Sequence, residues 1–183
     1  MLLNDWLIEV KAKLKRGNKV LFKVDNPLFT DLIAAIDRTN HKAMVLWAFE
    51  FAEGAVNTLK ERYPNELRPR IALDTSRDWA AGRVKMHETQ RAILNCHAVA
   101  KEIASPEDIA LCHAIGQACG VVHANGHGMG FPVYELTALV HRNGVENCAA
   151  AIENRIAHYT ERALYWREHF GDYLGDWADF MLK

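Results

Sequence analysis

Two histidines, His123 and His127, stand four residues apart, the spacing at which two imidazoles on one helical face can chelate a metal ion. His97 and His113 are equidistant from Ser105, so a helical hairpin turning there brings them level and within reach of a cysteine that could complete the site. Two features weigh against metal chemistry. Ala124 occupies the position where a zinc protease carries its glutamate base, and Cys96 and His97 point about 100° apart on a helix, so both cannot face one centre. A metal-dependent helical enzyme built on His97, His123 and His127 with Glu88 is therefore the alternative. The preferred reading has histidines hydrogen-bonded within a helical core, with no metal and no other cofactor.

Other candidate chemistries resolve into simpler roles. Asp74 and Asp78 share a helical face near Glu88, as paired carboxylates for acid and base work do, but Arg70 and Arg77 flank Asp74 and keep it ionised. An ion-pair network is expected there. The glycine run Gly126-His127-Gly128-Met129-Gly130 has no preceding strand and no following Lys-Ser or Lys-Thr, so it is no phosphate loop. Neither serine, Ser76 or Ser105, sits in a nucleophile elbow. The four cysteines, Cys96, Cys112, Cys119 and Cys148, have apolar neighbours that raise a thiol's pKa and make it inert. On one helix Cys112 and Cys119 stand roughly 10 Å apart, too far for a disulfide.

These residues need helices to hold them. The chain has 183 residues, half of them hydrophobic, enough for one domain that buries a core without staples. Twenty-two basic against 23 acidic residues, a net charge of −1, supply no field to recruit nucleic acid or anionic lipid. The start MLLNDWLIEVKAKLKR lacks a signal peptide's order, and the apolar stretch from Ile109 to Ala124 falls short of a membrane span. A cytoplasmic protein with reduced thiols is expected.

Apolar residues recur at three- and four-residue spacing almost everywhere, so the fold class is all-α: one antiparallel bundle of about six to eight helices, residues 1–183, with a central helical hairpin. Only Lys19–Val24 (KVLFKV) reads as a strand. Helices are expected from Leu2 to Arg16, Asn26-Pro27 to Arg38, His41 to Glu61 and Glu66 to Ala81, which makes 1–65 the N-terminal helices. The central set, 66–143, includes a helix whose seam is Met86, Ile93, Cys96, Ala100 and Ile103, and a second that Ser105-Pro106 starts. That second helix carries Cys112, Gly116, Cys119, His123 and His127 on one stripe until the glycines and Pro132 break it. After a turn at Asn143-Gly144, a long helix runs from Val145 to Phe170 within the C-terminal part, 145–183. Its tail sets Trp166, Phe170, Tyr173, Trp177 and Phe180 among Asp172, Asp176 and Asp179, a composition suited to sealing the bundle or gripping a basic protein.

The stretch from Arg70 to Arg142 resembles the immunity-protein family of bacterial polymorphic-toxin systems. The matching features are Arg77 with Trp79 and Gly82, Met86 with Arg91, His97 with Ala98 and Ala100, Gly116-Gln117-Ala118, then His123, His127 and Tyr134. His113, where the family has arginine, and the glycine-rich Asn125–Gly130 depart from it. The resemblance implies a non-catalytic protein that protects its cell by binding a cognate toxin and covering the toxin's active surface. Trp166, Asp172, Tyr173, Asp176, Trp177 and Asp179 are the expected contact patch, because many toxin domains are basic. A homo-oligomeric structural module, such as a homodimer, is a third reading.

Overall fold

A computed structural model describes residues 5–124 and 127–182. The described residues form eight α-helices and no strand: α1 (Asp5–Lys15), α2 (Thr30–Ile36), α3 (His41–Arg62), α4 (Arg68–Ala80), α5 (Met86–Val99), α6 (Pro106–Gly120), α7 (Gly130–Asn143) and α8 (Ala149–His169). The expected starts at Leu2 and the glycine Gly126 lie outside the described residues. Three glycines with positive φ, Gly17, Gly82 and Gly144, close α1, α4 and α7, as left-handed positions do.

Caps fix several helix starts. The Asn26 side chain accepts from Leu28 N and opens a 3₁₀ turn, Pro27–Phe29, ahead of the short α2. Asn40 caps α3 by accepting from Ala43 N at 2.9 Å. At α6 the Ser105 hydroxyl accepts from Asp108 N, with Pro106 in the first turn. Replacing Ser105 with alanine should cost about 1 kcal/mol of stability. Urea unfolding that showed no change would mean that water caps the helix equally well.

Three expectations need correction. Lys19–Val24 is an irregular connector with no partner strand among the described residues. Lys13 Nζ donates to Leu21 O at 3.0 Å and Leu21 N donates to Thr137 Oγ1 at 3.1 Å, so side chains satisfy the backbone that a ladder would. On α5 the buried residues are Thr89, Ala92, Cys96 and Val99, whereas Met86 is exposed and Ile93, Ala100 and Ile103 only half-buried against the core; the seam keeps its three- and four-residue spacing but is turned toward Ala92 and Val99. The last helix begins at Ala149 rather than Val145, after a turn through residues 145–148.

α6 is the axis of the molecule, packing against α3, α4, α5 and α7. Its buried residues are mostly small, among them Ala110, Cys112, Ala114, Gly116, Ala118 and Cys119, so neighbouring backbones approach closely. One continuous hydrophobic cluster draws on all eight helices. Trp47, Phe51, Phe131 and Tyr159 interlock at its centre, and Trp47 Nε1 donates to Tyr159 O at 2.9 Å.

Candidate functional site

The hairpin α5–α6 brings His97 and His113 together: their Nδ1 atoms are 2.9 Å apart, so one ring donates to the other. Tyr134 on α7 packs against the far side of His113 at 5.2 Å between ring centres. Gly116 is the reason the His97 ring can lie across α6. A Cβ there would stand 2.3 Å from His97 Nε2. The next residue, Gln117, accepts from His127 Nδ1 at 3.1 Å, and its own room comes from Gly130, where a Cβ would fall 2.4 Å from Gln117 Oε1.

His123 and His127 do not share a helical face with Cys112 and Gly116, because α6 ends at Gly120. Val121 O is taken by His41 Nε2 at 2.7 Å, and residues 121–123 form turns. His123 instead stacks on Trp79 of α4 with 6.2 Å between ring centres. The result is a surface groove of about 330 Å³, walled by Trp79, Ile93 and Leu94 and floored by His97, Gln117, His123 and His127. Six residues of the family pattern, drawn from three helices and a turn, thus meet in one place: Trp79, His97, Gly116, Gln117, His123 and His127.

The aromatic and acidic tail packs against the end of α4 and touches the same tryptophan. Ala178 N donates to Ala80 O at 2.7 Å, and Phe180 packs on Trp79 at 5.4 Å. Ala178 and Met181 are buried; Asp172, Tyr173, Asp176 and Asp179 are exposed, and Trp177 is half-buried against Tyr173. Asp176 approaches Arg83 at 3.7 Å. Trp166 lies apart, donating its indole N–H to Glu50, which also holds Arg162. Trp79 thus contacts His123 in the groove and Phe180 of the tail.

Arg77 and Arg91 of the family pattern stay outside the groove. Arg77 pairs with Glu53 at 2.8 Å and Asp74 at 3.5 Å, and Arg91 is exposed on α5. Arg70 and then Arg77 hold the Glu53 carboxyl down at about 2, which is the expected ion-pair network and the opposite of a proton donor. Burial pushes the Cys112 and Cys119 thiols up to about 12 and Cys96 higher still, so none is a thiolate near neutrality. Among the described residues no three His, Cys, Asp or Glu side chains converge as a metal ion requires. None of their helices is long and apolar enough to cross a membrane.

Burial, and then the neighbouring imidazole, lowers the pKa of His97; burial and Lys19 lower that of His113. The unfolded chain therefore binds protons more readily than the folded one. Stability from this pair is present above the ordinary value of 6.5 and is lost as pH falls below it toward the depressed folded values. The carboxylates held low by arginine and lysine act only at lower pH, beneath their ordinary 4.5. A melting-temperature series from pH 7.5 to 5 should fall below 6.5, and His113→Gln should flatten that slope; equal slopes would contradict it.

Sequence reading missed three ion-pair centres: Arg62 and Tyr63 on Asp108, Arg162 and Trp166 on Glu50, and Arg155 and Tyr159 on Glu135. It also missed Gln90 and Leu94 as groove residues. Leu94, on an outer α5 face and 68% exposed, was the one available signal: a large apolar residue where a polar one is expected.

The described residues thus form an all-helical bundle in which residues of the shared pattern meet at one surface groove. The family model for the Imm-5 like putative immunity protein matches residues 34–162, and the chain belongs to that family. No curated protein and no solved structure matches it.

Proposed function

We propose that this protein is a cytoplasmic, non-catalytic immunity protein that binds a cognate toxin and blocks it. The contact face in this reading is the groove together with Asp172, Tyr173, Asp176, Trp177 and Asp179. The observation that carries it is the convergence at Trp79: the residues of the family pattern and the acidic, aromatic tail are separate in sequence but adjoin in space. Exposed aromatics supply anchors, and the three aspartates favour capture of a basic partner.

The test uses a candidate toxin identified by reading the genes that neighbour this one. Co-expression should rescue growth, and the two chains should co-elute on gel filtration. Reversing Asp172, Asp176 and Asp179 to lysine should slow association at least tenfold at low salt, with the difference shrinking at high salt. No rescue and no complex with the unaltered protein would discard the proposal.

A further inference from the structure

The groove restricts what the partner can insert. A volume of about 330 Å³ is about twice that of a cavity of roughly 150 Å³ that takes up one benzene ring, the scale of a single large side chain. One side chain is therefore what it admits. The walls at Trp79, Ile93 and Leu94 are apolar or aromatic, so the body of that side chain must be apolar too.

Apart from the Trp79 indole N–H, the polar side chains lining the groove are glutamines and histidines: Gln90, His97, Gln117, His123 and His127. Among the described residues no carboxylate, ammonium or guanidinium lines it, so a charged head pushed in would be desolvated without a counter-charge from them. A wholly apolar occupant would in turn leave those amide and imidazole groups without their water partners. His97 is the deepest of them: its Nδ1 is committed to His113, while its Nε2 is held beside Gly116.

We propose that the groove receives a single uncharged aromatic side chain with a polar tip, tyrosine or tryptophan, projecting from the partner. The inference rests on the immunity reading for the identity of that partner, but the chemistry of the groove can be tested alone. The probes are N-acetyl amides of tyrosine, tryptophan, leucine, arginine and aspartate, titrated into the labelled full-length protein while the histidine ring and Leu94 methyl resonances are followed.

The tyrosine or tryptophan amide should give saturable shifts at His97, His123 and Leu94, at least tenfold tighter than the leucine, arginine or aspartate amides. Leu94→Asp, a change at an exposed position that keeps the fold, should abolish them. Equal or tighter saturation by a charged or purely aliphatic amide would overturn the proposal, as would the absence of shifts with all five. The two readings fail separately. If the toxin complex forms but no amide binds, the groove proposal falls alone; if the aromatic amides bind but no toxin does, the immunity reading falls alone.

Discussion

Replacing Arg155 with methionine is expected to lower the stability of the folded protein by about 3–5 kcal/mol. Glu135, on α7, is 8% exposed, and its carboxylate is held by Arg155 through Nε at 2.8 Å and Nη2 at 2.6 Å, with the buried Tyr159 hydroxyl donating to the same group. The guanidinium also stacks over Phe51 at 4.8 Å and Tyr159 at 5.1 Å, so its removal costs packing as well as charge. Methionine replaces most of the stem and none of the charge, leaving a buried carboxylate with one hydroxyl donor. The companion change Glu135→Leu should restore most of the loss, because a well-packed apolar pair is often as stable as a buried ion pair. Urea unfolding of the two single variants and the double variant measures this. A loss under about 1 kcal/mol for Arg155→Met would show that water already screens the pair.

The second large effect is expected at Gly116. Alanine there gains up to about 1 kcal/mol of helix propensity, yet its methyl would lie 2.3 Å from His97 Nε2 and 2.4 Å from Cε1. The ring is wedged between the α6 backbone and His113, so it must leave its hydrogen bond to make room. Overpacking of this kind costs about 1–3 kcal/mol net. Combining Gly116→Ala with His97→Ala removes the obstruction and should recover stability, leaving a widened groove. If the double variant is no better than Gly116→Ala alone, the imidazole is not what the glycine accommodates.

Much of this organisation was legible in the residues because it depends on short-range rules. Ser105-Pro106 announces a helix start, Gly17 and Gly82 announce helix ends, and the equal spacing of His97 and His113 about Ser105 places two imidazoles level across the hairpin. The failures share a cause. KVLFKV has strand propensity, but a strand needs a partner, and the rest of the described chain is helical. His123 and His127 have helical spacing, but the helix ends three residues before His123. The Glu135–Arg155–Tyr159 centre joins α7 to α8 across 20 and 24 residues, and no local periodicity reports such a pairing. The groove itself was half legible: the pattern residues were identified, while their meeting at one place depends on how α4, α5 and α6 cross.

The strap formed by Ala178 and Phe180 on the end of α4 has a consequence for synthesis. Trp79 leaves the ribosome about a hundred residues before Phe180 does, and at about 5–20 residues per second that is an interval of roughly 5–20 seconds. During that interval the nascent chain can assemble the helical scaffold and its imidazole floor, but the acidic border is still missing. If the tail belongs to the contact face as proposed, that face is complete only after the tail has emerged and docked, so a chain ended upstream of residue 178 should bind its partner more weakly than the full one.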